Sequence, residues 1–371
     1  MKKKLISLLL SAALAVSMLT VPAFAAEGGE ADAALDETNE VVVTLGDTVT
    51  ASTVEDTDKA AADKTAADKT KTADSAPAAS TEKKQITYVA LGDSIVAGVG
   101  LADVKYANDS TTLYSVDMSP NFKGYSPDCY VGKVAAMMGL DRDHAINLGL
   151  PALTAPDLVD MVRDGQMPKM NMESGCWYKY PEFQDYIRKA DVVSVQIGSN
   201  DAFVPCIVAL GNATNWKSEA LAASVLAGDL RASGSPAAAL IQGIKDMHLT
   251  RDERNATWNL LTSEMSKICD RIYPQTTAAL ISVVQEIRKL NPDCQILLMG
   301  YTDPVPFIPC WHNYFKKLNK FEKQLAETYD LTYVAIPKAK TDLDVHPTIS
   351  GHEYIAKKIV NSIELAEDSA Q

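Results

Sequence analysis

Ile86-Thr87-Tyr88-Val89-Ala90-Leu91-Gly92-Asp93-Ser94-Ile95 is the stretch from which the rest of the chain can be read. A short aliphatic and β-branched run that stops at glycine is the pattern of a strand buried on both faces, as in a parallel sheet. The same cadence returns four times: His144 to Leu148 before Gly149, Asp191 to Ile197 before Gly198, Gln295 to Met299 before Gly300, and Leu331 to Ile336 before Pro337. Helical patterns fall between these runs at Pro156 to Arg163, Ala278 to Leu290, Asn313 to Tyr329 and Ser350 to Leu365. Strands alternating with helices predict a three-layer α/β domain around a mostly parallel, five-stranded sheet.

The regions upstream of this rhythm have a different composition. Lys2, Lys3 and Lys4 precede an apolar stretch from Leu5 to Leu19, and Ala23-Phe24-Ala25 places small residues where a signal peptidase cuts. Residues 1–25 therefore read as an export signal, with the mature chain starting near Ala26. The apolar stretch is shorter than the ~20 residues of a membrane span, so no stable span is expected after cleavage, and no Cys follows to carry a lipid. Residues 26–84 are rich in Ala, Thr, Asp and Lys and poor in large apolar side chains, with an imperfect repeat at Ala61 to Thr65 and Ala66 to Thr70. Such a segment cannot bury enough surface to offset its ordering entropy and reads as a disordered acidic spacer, able to hold the domain near a cell wall or surface. The run Val41 to Leu45 leaves open an added strand. Residues 85–371 then form one domain.

The formal charge is −13, from 48 acidic and 35 basic residues, and the spacer alone holds 14 of the acidic and 6 of the basic ones. This acidic balance argues against nucleic-acid partners, because phosphate contacts need clustered Lys and Arg. With 47% hydrophobic and 22% charged residues, the composition is that of a globular chain.

In parallel sheets, ligands collect at the carboxyl ends of the strands. There the first strand presents Ser94, the third presents Gly198-Ser199-Asn200-Asp201, and the fifth leads to Asp342-Leu343-Asp344-Val345-His346-Pro347. Taken singly, a Ser at a helix start is an ordinary cap and an Asn after a strand is turn chemistry. Together they supply what acyl transfer needs: a hydroxyl nucleophile, a base, an acid that orients the base, and donors for an oxyanion. Of the five histidines, only His346 has carboxylates two and four residues before it.

Gly92-Asp93-Ser94-Ile95, Gly198-Ser199-Asn200-Asp201 and Asp344-Val345-His346-Pro347 resemble, in order, the first, third and fifth sequence blocks of the GDSL, or SGNH, esterase/lipase superfamily. The resemblance spans roughly residues 86 to 366. It implies a flavodoxin-like α/β/α sandwich that hydrolyses carboxylic esters with no metal or cofactor. It makes Ser94 the nucleophile, His346 the general base, and Ser94 and Asn200 oxyanion donors, while Asp93 holds the turn. In the second block, Asn147-Leu148-Gly149-Leu150-Pro151-Ala152-Leu153-Thr154, spacing puts Ala152 where the family has a donor glycine, with Gly149 as the fallback. The family's acid stands three residues before the histidine, a place held here by Leu343. Asp344 is favoured to orient His346, because alternate residues of an extended segment share a side. Asp342 and a backbone carbonyl are the alternatives.

Three stretches exceed the usual connections, Leu101 to Asp128, Met161 to Glu182 and Ala202 to Pro274, and are expected to wall the site. Met161, Met167, Met170 and Met172 could line an acyl pocket, and Trp177, Tyr178 and Tyr180 could stack on a sugar, although both groups also suit local packing. The substrate could be a short-chain acyl, O-acetyl glycan or lipid ester. A thioesterase or lysophospholipase would share the same site. Two other classes stay open: a surface binding module of the same fold with impaired catalysis, and a metal-dependent hydrolase using Asp342, Asp344 and His346. Six cysteines in an exported chain predict one to three disulfides, with Cys294 the one most apt to stay free.

Overall fold

A computed structural model of the chain describes residues 85–101, 103–104, 122–221, 233–304, 309–341 and 346–364. The export signal, the spacer with Val41 to Leu45, and both Asp342 and Asp344 lie outside the described residues.

The five runs are strands: β1 (Tyr88–Gly92), β2 (Ala145–Gly149), β3 (Val192–Gln196), β4 (Gln295–Met299) and β5 (Thr332–Val334). They form one sheet in the order β2-β1-β3-β4-β5, and every pairing is parallel. The burial of β1, β2 and β3 at every position explains why aliphatic side chains dominate these runs, with Asn147, Ser194 and Gln196 as buried polar interruptions.

Among the described residues the helices are α1 (Ser94–Ala97), α2 (Tyr130–Met138), α3 (Ala155–Asp164), α4 (Phe183–Arg188), α5 (Ser199–Ala213), α6 (Pro236–Asp246), α7 (Arg251–Asn259), α8 (Met265–Leu290), α9 (Pro309–Tyr329) and α10 (Ile349–Val360). A single π-turn, Leu260–Glu264, joins α7 to α8. Right-handed crossovers put helices on opposite faces of a parallel sheet when the chain moves in opposite directions along it. From β1 the chain steps outward to β2, then returns across β1 to β3. Accordingly α2 packs against α10, and α3 packs against α8, which in turn meets α5 and α9. The edge of that reversal, between the carboxyl ends of β1 and β3, is where such folds hold their ligands.

All six cysteines are buried free thiols, contrary to the expected disulfides. Cys129, Cys176 and Cys294 each sit beside a polar partner of their own: Gly132 N–H, Ser174 Oγ and the Asn291 carbonyl. Cys206, Cys269 and Cys310 lie together where α5, α8 and α9 pack, the Cys269 thiol next to the other two.

Glu322 on α9 is fully buried, and no described residue gives either of its carboxyl oxygens a hydrogen bond. Burial holds its pKa well above the ordinary value, favouring the neutral form of the group. A carboxyl with a raised folded-state pKa contributes most below its unfolded pKa of about 4.3, and that contribution is lost as the pH rises. Replacement by an apolar side chain of similar length, Glu322→Met, is expected to stabilise the domain by about 1–3 kcal/mol at neutral pH, the usual cost of an unsatisfied buried polar group. Thermal melts at pH 5 and pH 8 check this, with the gain over wild type larger at pH 8.

Candidate active site

Glycine at two positions allows the strand ends to come together. Gly92 closes β1 at φ +152°, and a Cβ there would lie 2.0 Å from the Gln196 carbonyl oxygen of β3. Gly149 closes β2, and its Cβ would lie 2.3 Å from the Ala97 backbone nitrogen of α1. Only glycine lets the backbones approach this closely.

Directly after Gly92, Asp93 caps α1, accepting the Ile95 N–H at 2.9 Å through Oδ1. Its Oδ2 accepts from Ser199 Oγ at 2.7 Å and from Tyr301 Oη at 3.0 Å. Burial raises the Asp93 pKa, and the three donors and the nearby His346 oppose that rise. Asp93 thus joins the ends of β1, β3 and β4 and, as the sequence reading expected, holds the turn. Ser199 and Tyr301 were not singled out from sequence. Tyr301 could have been, because it follows Gly300 at a strand's carboxyl end.

Ser94 begins α1, and His346 lies just ahead of α10. Although 252 residues apart in sequence, His346 Nε2 and Ser94 Oγ are 3.0 Å from each other, both buried. Downstream of His346, Thr348 caps α10 by accepting the Gly351 N–H at 3.1 Å, and its own N–H donates to the Lys340 carbonyl at 2.8 Å. These bonds fix the chain on the carboxyl side of the histidine. The residues that would supply an orienting acid, Asp342 and Asp344, lie outside the described part.

Asn200 sits in the first turn of α5, fully buried, and donates one Nδ2–H to the Leu153 carbonyl at 2.9 Å. That amide nitrogen carries two protons, which leaves a second for another acceptor. Leu153 immediately follows Ala152, and Ala152 has φ +60°, the left-handed conformation that glycine adopts at little cost. The alanine therefore keeps a glycine-like backbone in the second block. Tyr178 Oη donates to the Pro151 carbonyl at 2.8 Å and supports this turn from behind. The fallback, Gly149, is differently employed: its N–H donates to Asn147 Oδ1 at 2.9 Å, so it is committed within the loop. Asn147 Nδ2 also donates to the Val96 carbonyl at 2.8 Å, which ties the second block to α1.

The family model for GDSL-like lipases and acylhydrolases matches residues 90–354, a span that contains every residue just described. The chain belongs to the GDSL-like lipase/acylhydrolase family. It is a carboxylic ester hydrolase built on the parallel five-stranded sheet described above. Among solved structures, a phospholipase A1 from Streptomyces albidoflavus is 14% identical with a TM-score of 0.42, covering 75% of this chain and 100% of its own. An extracellular lipase from Streptomyces rimosus is 14% identical with a TM-score of 0.43 and the same two coverages. An acetyl-xylooligosaccharide esterase from Geobacillus is 17% identical with a TM-score of 0.38, covering 77% of this chain and 97% of its own. No curated protein matches the chain significantly by sequence.

Two substrate-wall readings of this GDSL hydrolase need correction. Met161 and Met167 are core residues, and only Met170 and Met172 are exposed. The exposed pair borders a cleft of about 330 Å³ that also includes Asp157, Asp160 and Glu173 but not Ser94 or His346. Tyr178 is buried under the Pro151 turn, Tyr180 is half-buried and packs edge-on against Phe122, and Trp177 alone of the three is exposed. Among the described residues, no helix is long and apolar enough to cross a membrane.

Proposed function

We propose that the chain is an exported serine ester hydrolase. The observation that carries this reading is the 3.0 Å contact between His346 Nε2 and Ser94 Oγ at the strand-end crevice. In the reaction, Nε2 removes the hydroxyl proton as Oγ attacks the ester carbonyl, and the carbonyl π electrons move onto oxygen. The oxyanion is received by the Ser94 N–H, the Ala152 N–H and the second Nδ2–H of Asn200. Ser94 is the first residue of α1, whose early N–H groups have no partner within the helix, and Asp93 takes the next one, of Ile95. Collapse expels the alcohol, which takes the proton from His346. Water then attacks the acyl-enzyme with the same histidine as base, releasing the acid and restoring Ser94. Asp344 orients His346, with Asp342 as the other acid within the same loop.

The substrates proposed are short-chain acyl, O-acetyl or lipid esters in the extracellular space, with no nucleic-acid partner and no metal or other cofactor. The Ser94–His346 contact and the glycine-like backbone of Ala152 support catalysis over an impaired binding module of the same fold. The purified chain is expected to hydrolyse p-nitrophenyl esters in the presence of a chelator, and a series from acetate to palmitate gives the acyl preference. Absence of turnover across that series refutes the reading.

A further inference from the structure

The second-block turn and the start of α5 carry two of the three proposed oxyanion donors, Ala152 and Asn200, on different elements. Their relative position to within a fraction of an ångström decides how well both reach one oxygen. Two neighbouring residues of α5 bind the chain just beyond Ala152. Asn200 Nδ2 donates to the Leu153 carbonyl at 2.9 Å, and Asp201 Oδ2 accepts the Ala155 N–H at 2.9 Å. Ala155 is the first residue of α3, whose cap, Thr154, accepts the Asp157 N–H through its own hydroxyl. The carboxylate of Asp201 therefore takes a helix-start N–H that the capping box does not reach, in the field of the helix dipole that favours a negative group.

We infer that Asp201 is a positioning residue for the oxyanion site: it anchors Ala155, and through it the Ala152 turn, to the helix that carries Asn200. This rests on the proposed roles of Ala152 and Asn200. Asp201 touches no reacting atom in this scheme. It is almost fully buried, and burial pushes its pKa up to about 7, against the Ala155 N–H and the Thr276 hydroxyl, which favour the ionised form. A capping box alone would start α3 without burying an acid, so the bond to α5 is what the carboxylate adds.

The experiment compares wild type with Asp201→Ala, Asp201→Leu and Asp201→Asn. Rates with p-nitrophenyl acetate are normalised to active sites titrated with a serine-directed phosphonate, so that a misfolded fraction drops out. Asn keeps an acceptor for the Ala155 N–H, whereas Ala and Leu do not, and Leu fills the space. The expected result for Ala and Leu is a kcat lower by about 10- to 100-fold, the scale of a slightly misplaced catalytic group, with KM within about twofold. Inhibition by phenylboronic acid, whose adduct with a serine hydroxyl is tetrahedral and anionic, should weaken by the same factor, and Asp201→Asn should recover most of both. Unchanged kcat and boronate affinity per titrated site in a folded Ala or Leu variant overturns the inference. So does failure of both to fold, which makes Asp201 a structural residue only. Retained activity in Ser94→Ala defeats the proposed mechanism itself. An inactive Ser94→Ala beside a fully active Asp201→Ala defeats the positioning role alone.

Discussion

Ser94→Ala is expected to reduce ester turnover by about 10⁴-fold or more while leaving the melting temperature nearly unchanged, because losing the nucleophile of a hydroxyl–imidazole pair removes the covalent route entirely. The activity that survives would come from the oxyanion donors and substrate binding alone. Structural cost is small for two reasons. Ser94 does not cap α1, which Asp93 does, and its hydroxyl is engaged by His346 and not by the sheet. Steady-state kinetics on p-nitrophenyl acetate and a thermal melt, run on the same preparation, separate loss of chemistry from loss of fold.

Asn200→Ala is expected to cost about 10²- to 10³-fold in kcat, the usual effect of deleting one oxyanion donor. Its KM should change little, because the lost interaction forms only as charge develops on the carbonyl oxygen. This variant also removes the bond to the Leu153 carbonyl, so some stability should go with it, on the order of 1 kcal/mol for a buried neutral hydrogen bond. Asn200→Asp is the informative companion. It keeps the size but offers acceptor oxygens to both the Leu153 carbonyl and the oxyanion, and should be at least as inactive as the alanine variant. Kinetics together with melts of the two variants check both parts.

Much of the fold is legible in the chain because a strand buried on both faces shows as a short, mostly aliphatic run ending at Gly or Pro. β4 has the predicted limits, and the other strands differ by one or two residues at their ends. The helices were harder to delimit. The pattern begins at Ala278, yet α8 starts at Met265 and passes through Pro274, whose missing N–H reads locally as a stop. In the other direction, the pattern from Ser350 to Leu365 runs past Val360, where α10 ends, because apolar spacing persists in Ile363 after the last helical turn.

Of the candidate site, Ser94, Asn200 and His346 can be picked out from sequence because each stands by a strand end in a recognisable block. What was not visible depends on contacts between distant segments. No local pattern links Asp93 to Tyr301, 208 residues away, or Asp201 to Ala155. Spacing placed Ala152 in the second block, but its positive φ and the commitment of the Gly149 N–H to Asn147 required coordinates. The cysteines misled for a related reason: an even count suits disulfides, whereas these thiols are buried at separate packing sites or as a group of three. Met161, Met167 and Tyr178 turned out to be core residues because composition does not tell a core side chain from a pocket lining.

In the proposed reaction the Ser94 hydroxyl, activated by His346, forms the bond to the acyl carbon. The most direct test of this step is to treat the protein with a p-nitrophenyl phosphonate, digest it and map the adduct by mass spectrometry, in wild type and in His346→Ala. The expected result is one phosphonyl group per chain, on the peptide containing Ser94, with labelling of the histidine variant slower by orders of magnitude. An adduct on another residue, or equally fast labelling of Ser94 without His346, contradicts the account.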